Sequence, residues 1–409
     1  MPSRRGLLGQ LVALGAATVP GCSTLLSRRR DSPVSLPPNP HEVPARQHAW
    51  DAVLHTDEHG NRHPPRYHRV LLLELDVEPS VDAADTVETA MREVEATYEW
   101  APEGLLHALA WGTDYFERIG ELDASPIRKP EVLSRTDDPD LLSYDAALVL
   151  ATDVPSHLVR TETALFSEEP LEGRDLEARL GDVFSVAGRR TGFHGEGLPA
   201  EHTDAEGVPD DIPRDAPMFT GFMSMRRGTQ PSEDRVTIES GRFDDDRFDG
   251  GTTMHLSHLS ESLDDWWAMA DEERVARMFS PDFSPSDVDS LTDTVPFSDR
   301  AFDHAAEFGV VGHHEKVARA REGGQPVILR RDFNTTDGGR AGVHFLSFQA
   351  SLDDFVATRK AMNGWFLRNE HQQVTDRKNN GLLNFIEVES RANFYVPPRV
   401  SRAFPAFSP

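Results

Sequence analysis

Hydrophobic residues in the first half of the folded chain alternate between strand and helix patterns. The apolar run HRVLLLELDV, residues 68–77, has the length of a strand. The segment DTVETAMREVEATYEW follows it, with Val87, Ala90, Met91 and Val94 on one helical face. GLLHALAWG and DAALVLATD are predicted strands separated by the short helical segment TDYFERIG, and VPSHLVRTETALF is a predicted helix. The order of strand, helix, strand, strand and helix predicts a ferredoxin-like unit, also called a split βαβ unit.

The second half of the chain repeats these patterns after a polar, glycine-rich interval at about residues 188–217. GGTTMHLSHL, VILRRDF and AGVHFLSFQA are predicted strands. SLDDFVATRKAMNGWF is a predicted helix that places Leu352, Phe355, Val356 and Met362 on one face. The sequence therefore predicts an α+β protein with two ferredoxin-like halves, residues 68–205 and residues 206–409.

The N-terminal residues are predicted to direct the chain to the membrane. Arg4 and Arg5 precede an uncharged segment in MPSRRGLLGQLVALGAATVPGC, which predicts residues 1–30 as a twin-arginine-type export signal. Cys22 is the sole cysteine and ends VPGC, which resembles a lipobox, so Cys22 is a candidate lipid-attachment site. An uncleaved anchor helix is the alternative, because the uncharged span is long enough to cross a bilayer and arginines follow it.

Residues 31–67 are rich in proline and histidine and are predicted to form an extended tether. Their histidines have no ligand spacing on a periodic helix or strand, which favours a solvated linker over a metal site. With the export signal, this tether predicts a folded part that lies outside the cytoplasm and is held at the cell membrane.

The charge balance excludes one class of partner. The chain has 69 acidic and 42 basic residues, a formal net charge of −27, and only four lysines. An acid-rich, lysine-poor composition resembles that of proteins from salt-loving archaea, where salt screens the self-repulsion. Because no broad basic face could neutralise phosphates, the composition argues against nucleic acid as a partner.

The segment GHHEKVARAREGGQPVILRRDF, residues 312–333, holds the most unusual chemistry. His313 and His314 precede Arg330 and Arg331, and the arginines lie in an apolar run typical of a strand. A buried arginine is costly without an anionic partner, so the arginines indicate a bound anion or a neighbouring acid. From the residues alone, surface histidines and acid-paired arginines are the more common arrangement.

Several segments, taken in order, resemble the dye-decolorizing (DyP-type) haem peroxidase family. EGLLHALAWGTDYFERIG and PDLLSYDAALVLATDVPSHLVRTETALF are similar to its first strand and helix steps. GGTTMHLSHLSESLDDWWAMADEER resembles its glycine-rich strand and leucine–x–x–tryptophan helix, with Leu263 and Trp266 in the matching places. ILRRDF, GVHFLSFQASLDDFVATRKAMNG and NGLLNFIEVESRANFYVPP resemble its last third, so the resemblance runs from about His68 to Pro398.

The resemblance implies a fold of the dimeric α+β barrel type, with one haem b per chain in the C-terminal half. His314 is implied as the iron ligand because an arginine, Arg321, follows it at the family's spacing of seven positions, and His313 is the alternative ligand. Arg330 is implied as the distal arginine, whose guanidinium stabilises the negative charge that develops on peroxide. Arg331 and His258 are further candidate contacts to haem.

One departure from the family concerns the distal motif Gly-x-x-Asp-Gly. In TGFMSMRRGTQP, Gly221 and Phe222 fit this motif, whereas Ser224 stands in place of the aspartate and Met225 in place of the second glycine. Serine is not a general base at its ordinary pKa, and losing such a group costs about 10²–10⁴-fold in rate.

Three functions follow from this departure. The first is a haem-dependent peroxidase that oxidises an organic donor with hydrogen peroxide and uses another group for the proton. The second is a haem-binding protein with little turnover, such as a carrier, a sensor or a haem-processing factor. The third is a haem-free extracellular structural or interaction module. The expected partners are peroxide, the organic donor, the membrane and a second copy of the chain in a homo-oligomer.

Overall fold

The computed structural model describes residues 43–290, 300–367 and 371–407. The predicted export signal and Cys22 lie outside the described residues. Each helix within the described residues is too short or too polar to cross a membrane.

The described residues form strands and helices in the predicted alternation. The strands are β1 His55–Thr56, β2 Arg62–His63, β3 Tyr67–Leu75, β4 Leu106–Gly112, β5 Asp140–Leu141, β6 Ala146–Thr152, β7 Phe184–Phe193, β8 Thr252–Glu261, β9 Leu329–Arg330, β10 Phe333–Thr335, β11 Gly342–Gln349 and β12 Ile386–Val396. The helices are α1 Val81–Thr97, α2 Thr113–Arg118, α3 Pro155–Phe166, α4 Leu263–Trp267, α5 Asp271–Met278, α6 Pro285–Ser290, α7 Ala301–Phe308, α8 His313–Val317 and α9 Leu352–Asn363.

The sheet contains two ferredoxin-like units. The first half has the antiparallel order β7–β3–β6–β4, and the second half repeats it as β12–β8–β11–β9. β4 pairs with β12 and joins the halves, while β10 pairs with both β7 and β11 and closes the sheet on itself. The predicted α+β fold with two ferredoxin-like halves is confirmed.

The two faces of the sheet have different roles in packing. On one face of β3, Leu71 and Leu73 pack with α1 and α3 in a core of the first half. On the other face, Val70 and Leu72 share a core with Leu346 and other residues of the second half. Side chains alternate between the two faces of a strand, so the same strands contribute to both cores. In the second half, α8 and α9 lie on the sheet face opposite the shared core.

A close approach at Gly192 allows the sheet to close. A Cβ at Gly192 would lie 2.0 Å from the carbonyl oxygen of Asn334 in β10. Only glycine leaves room for the backbone of β10 to pair with β7 at this point.

The predicted tether is wrong over residues 43–67, because that part of the chain packs on the domain. Trp50 is fully buried, and its indole nitrogen donates a hydrogen bond to the carbonyl of Gln47. The amide of Gln47 donates to the carbonyls of Leu109 and Pro397 at 3.0 and 2.9 Å. Trp50 and Gln47 hold this segment on the domain without a periodic pattern of apolar residues, so periodicity predicted no helix or strand there.

The predicted strand VILRRDF is broken into β9 and β10. Arg331 still donates its backbone hydrogen bond to Leu346 at 2.8 Å, so alternation continues through the break. Arg330 and Asp332 consequently project to the face that carries α8 and α9, and Arg331 projects to the opposite face.

Candidate functional site

A cavity of about 240 Å³ lies between the sheet of the second half and the helices α8 and α9. Three kinds of element form its wall: sheet strands, the two helices, and the loop of residues 218–229. The apolar part of the wall comes from Leu259, Val343, Phe345, Val388, Phe355, Met362, Val317, Phe222 and Phe279, among others. Such a wall accepts a flat apolar ligand, while the polar groups that interrupt it fix the ligand's orientation.

Helix α9 is held firmly against the sheet. Ser351 caps it by accepting a hydrogen bond from the backbone N–H of Asp353, and the carboxylate of Asp354 accepts a hydrogen bond from the backbone N–H of Ser351. The helix ends at Gly364, whose φ of 66° is the left-handed conformation common at helix ends. Its residues Phe355, Thr358 and Arg359 line the cavity.

Arg330 is anchored by the loop that contains Ser224. Its guanidinium donates to the carbonyl of Ser224 and, at 3.1 Å, to the hydroxyl of Thr229. Its backbone exchanges two hydrogen bonds with the side chain of Gln230, at 2.9 and 3.0 Å. Burial lowers the pKa of Arg330, and the charge of Asp332 opposes that shift. The loop therefore fixes the guanidinium on the cavity wall.

Ser224 lines the same cavity, next to Arg330. Its hydroxyl oxygen is buried and has no hydrogen-bond partner among the described residues. Met225, the next residue, is buried in the protein. The cavity is thus lined by the hydroxyl of Ser224, the residue that the sequence resemblance aligned with a motif aspartate.

His313 and His314 open helix α8, and both line the cavity. Burial lowers the pKa of His313 well below its ordinary value, and the charges of Lys316 and Arg330 add to this effect. Its Nδ1 is buried without a hydrogen-bond partner within the described part of the chain. The ring of His314 lies 5.9 Å from that of Phe279. Both histidines remain candidates for a ligand of iron.

The start of α8 is fixed by Glu315. One carboxylate oxygen of Glu315 accepts the backbone hydrogen bond of Gly312 at 2.6 Å, and the other contacts Nδ1 of His304 at 2.6 Å. A Cβ at Gly312 would collide with the carbonyl oxygen of Phe279. Close packing and a buried hydrogen-bond network therefore set the direction of the two cavity histidines.

Five arginines line the cavity, here called the cavity arginines: Arg226, Arg321, Arg330, Arg359 and Arg391. Arg359 and Arg391 both donate to Oδ2 of Asp137, at 2.7 and 2.9 Å. Because two guanidinium groups share one carboxylate, this part of the wall keeps a positive charge that suits a ligand's carboxylate.

The structure brings four of the predicted site residues together and separates two. His313, His314, Arg330 and Ser224 line the cavity, whereas Arg331 and His258 are not among the described residues that line it. Arg331, 3% exposed, pairs with Asp51 at 2.7 Å on the opposite face of the sheet. The ring of His258 lies 4.6 Å from that of His344.

The charged cavity residues that were not predicted as site residues from the sequence include Glu261, Asp332, Arg359 and Arg391. Asp332 could have been found from alternation, since it lies two positions after Arg330. Arg359 could have been found from helical spacing, since it lies four positions after Phe355. Glu261 and Arg391 lie on strands far apart in sequence, and only the sheet register brings them to this face.

The family model that matches residues 65–398 is described as a family of unknown function (DUF7405). The chain belongs to this family. No curated protein matches it.

Solved structures with a similar fold are DyP-type proteins. A dye-decolorizing protein from V. cholerae has a TM-score of 0.53 and 16% identity, over 86% of this chain and 97% of that chain. A DypB variant from Rhodococcus jostii RHA1 in complex with heme has a TM-score of 0.52 and 15% identity, over 89% of this chain and 99% of that chain. At this identity, the likeness establishes a shared fold.

The cavity residues of this chain fit haem. The apolar wall suits the faces of a porphyrin, and the cavity arginines suit its two propionates. The buried Nδ1 of His313 has no partner among the described residues, and the two imidazoles supply the donor type that haem iron takes in many proteins.

Proposed function

We propose that this chain binds one haem b in the cavity and oxidises an organic donor with hydrogen peroxide. One observation carries the proposal: α8 and β9, which are separate in sequence, bring His313, His314 and Arg330 to a single cavity of a DyP-type fold. An imidazole, a guanidinium and apolar walls are the groups that a haem peroxidase requires.

Each group has a defined task. His314, with His313 as the alternative, binds the iron, and the cavity arginines other than Arg330 bind the propionates. Haem, when bound, supplies the redox centre that accepts the oxidising equivalents of peroxide. Arg330 binds peroxide and stabilises negative charge on its oxygens, because its guanidinium is already oriented by Ser224 and Thr229.

Ser224 favours a second function, a haem-binding protein with little turnover. Its hydroxyl is the only side-chain group that residue 224 offers, and it does not accept a proton at neutral pH. A carrier, sensor or haem-processing factor needs the imidazole and the arginines but needs no proton acceptor.

The haem ligand is tested by adding haem to the purified chain and recording the Soret band. We expect a Soret band in the wild type and in His313→Ala, and its loss in His314→Ala. His59→Ala, in the turn between β1 and β2, is the control and keeps the band. The reverse pattern would assign the iron to His313. A wild type without a Soret band would support the third function, a haem-free structural or interaction module.

Peroxide-dependent oxidation of a dye by the haem-loaded wild type then separates the two haem-binding functions. Turnover that disappears in Arg330→Leu, while the Soret band remains, supports the peroxidase. A full Soret band with no turnover above that of free haem supports the carrier or sensor.

The location is also a proposal. We infer that the chain is exported through the twin-arginine route and stays at the outer side of the membrane, through Cys22 or through an uncleaved anchor. The twin arginines and the single cysteine in VPGC support this location. Export by this route suits a protein that folds around a cofactor before it leaves the cell.

A further inference from the structure

Two buried carboxyl groups lie on the wall of the cavity. Glu261 is the last residue of β8, and Asp332 lies in the break between β9 and β10. They are 8% and 5% exposed, and both line the cavity that contains Arg330 and Ser224. Carboxyl groups are rarely buried to this degree unless they are paired or have a function.

Each of these carboxyl groups has a buried oxygen that is not used by the protein. Oε2 of Glu261 and Oδ1 of Asp332 have no hydrogen-bond partner among the described residues. A structural carboxylate normally has its oxygens hydrogen-bonded, because a buried polar atom without a hydrogen bond destabilises the fold. Two such oxygens on the wall of one cavity indicate carboxyl groups that bind a molecule in the cavity or exchange a proton with it.

The charges that face the pair decide which member holds a proton. Burial raises the pKa of Glu261 to about 8, and the negative charge of Asp332 adds to this shift. Asp332 lies two positions from Arg330, and its charge favours the guanidinium form of Arg330. The other titratable groups on the cavity wall are His313, His314 and the remaining cavity arginines. At neutral pH Glu261 is therefore protonated, and Asp332 is the acid whose negative charge acts on both Glu261 and Arg330.

We propose that Asp332 accepts the proton of hydrogen peroxide beside Arg330, and that Glu261 is the neutral partner that keeps a single negative charge on this wall. This inference rests on the proposed peroxidase function and supplies the proton acceptor that Ser224 cannot be. Asp332 is the catalytic residue, and Glu261 is a positioning residue that acts through it.

The proposed step is a proton transfer without electron transfer. One O–H bond of peroxide breaks, an O–H bond forms on the carboxylate of Asp332, and a hydroperoxide anion remains beside the guanidinium of Arg330. Asp332 would then hold a proton for the oxygen that leaves as water when the O–O bond breaks, a later step in which haem, when bound, would take the other oxygen and supply the two electrons. A hydrogen bond to Arg330 favours the anion in the proton transfer.

The first test uses the haem-free chain, so it does not depend on turnover. Infrared difference spectra at pH 7 compare the wild type with Glu261→Gln, Asp332→Asn and the control Glu307→Gln, an exposed glutamate of α7. We expect the carbonyl band of a protonated acid only in the Glu261 difference spectrum, and its loss as the pH rises through about 8. Carboxylate bands alone in the Glu261 spectrum would overturn the pair, whatever the haem-loaded protein does.

The second test measures dye oxidation by the haem-loaded proteins against pH. Asp332→Asn is expected to lower the rate by about 10²-fold or more, the usual effect of removing a general base. Glu261→Gln is expected to lose the decline that the wild type shows above about pH 8, because glutamine cannot ionise. A merely structural role for Glu261 would not remove this alkaline decline.

The outcomes separate the two proposals. A wild type with turnover and an unaffected Asp332→Asn variant would overturn the role of the pair and leave the peroxidase intact. A wild type that binds haem without turnover would remove the peroxidase and, with it, the role of Asp332, even if the infrared band of Glu261 is present.

Discussion

Ser224 differs from an aspartate in one property that matters at this cavity, the ability to hold a proton. Its carbonyl oxygen accepts a hydrogen bond from the guanidinium of Arg330. Its buried hydroxyl oxygen has no hydrogen-bond partner among the described residues. A carboxylate on the same residue would lie beside the same arginine. An aspartate at position 224 would therefore be placed to accept a proton beside Arg330.

We predict that Ser224→Asp rescues the Asp332→Asn variant. In the wild type, Ser224→Asp should raise dye oxidation by less than about threefold, since Asp332 already accepts the proton. In the Asp332→Asn background it should raise the rate at least tenfold, because either carboxylate can act as general base and their effects do not add. The measurement is the initial rate of peroxide-dependent dye oxidation in the wild type, both single variants and the double variant.

Ser224→Asn in the Asp332→Asn background is the matched control, since asparagine has the shape of aspartate without its basicity. Rescue by Ser224→Asn as well would show that shape, not proton transfer, limits the rate. A large gain from Ser224→Asp in the wild type would show that Asp332 is not an effective base.

At the scale of single elements, periodicity predicted the strands and helices and missed the features that make the site. The strand at residues 68–77 and the apolar face of α1 with Val87 and Met91 could be predicted from the sequence. Burial of one helix face requires apolar residues every three or four positions. The break between β9 and β10 could not be read, since its partners in β11 and β7 are distant in sequence. Asp332 lies in that break and still follows the alternation from Arg330 to the cavity.

The three strand residues His68, His107 and His255 show another consequence of burial. His107 in β4 is 1% exposed, and burial lowers its pKa to about 3, with the nearby charge of Glu95 opposing the shift. His68 and His255 have pKa values of about 3 for the same first cause. These histidines are neutral in the folded chain and take up protons when it unfolds.

We predict that acid destabilises the fold through these histidines. A histidine with a lowered pKa contributes stability that is complete above about pH 6.5 and is lost as the pH falls towards 3. At pH 5 each such group should cost about 2 kcal/mol relative to pH 7.5. Urea unfolding of His107→Gln at both pH values should show a loss of stability on acidification that is smaller than in the wild type by about this amount.

His59→Gln, in the turn between β1 and β2, is the control and should keep the wild-type difference between pH 7.5 and pH 5. An identical pH dependence in the wild type and His107→Gln would mean that His107 is protonated in the folded chain. The chosen pH values lie above the range in which most carboxylates titrate, so the comparison reports on histidines.

At the scale of the whole molecule, the two halves share an architecture and divide the work. The first half packs α1 and α3 directly on its sheet face, whereas the second half leaves a cavity between its sheet and α8 and α9. The repeat of the ferredoxin-like unit could be predicted from the order of apolar segments. The difference between the halves could not, because a cavity depends on side chains from the strands, the helices and a loop together.

The net charge of −27 makes the stability of the whole molecule dependent on salt. Repulsion among exposed acids opposes the compact state, and salt shortens its range from about 10 Å at 0.1 M to about 3 Å at 1 M. We predict that the thermal unfolding midpoint rises by about 5 °C or more between 0.1 and 1 M NaCl, an increase of about 4 kcal/mol in unfolding free energy for a chain of this length. Circular dichroism at a series of salt concentrations measures it.

A variant with four fewer negative charges distinguishes screening from a general effect of salt on hydration. Glu168→Gln, Glu169→Gln, Asp210→Asn and Asp211→Asn all change exposed residues. The combined variant should have a higher midpoint than the wild type at 0.1 M NaCl and should gain less from added salt, because less repulsion is left to screen. Screening also requires most of the gain to occur below 1 M. A midpoint that rises linearly to 3 M NaCl, by the same amount in both proteins, would assign the salt effect to hydration of the apolar surface instead.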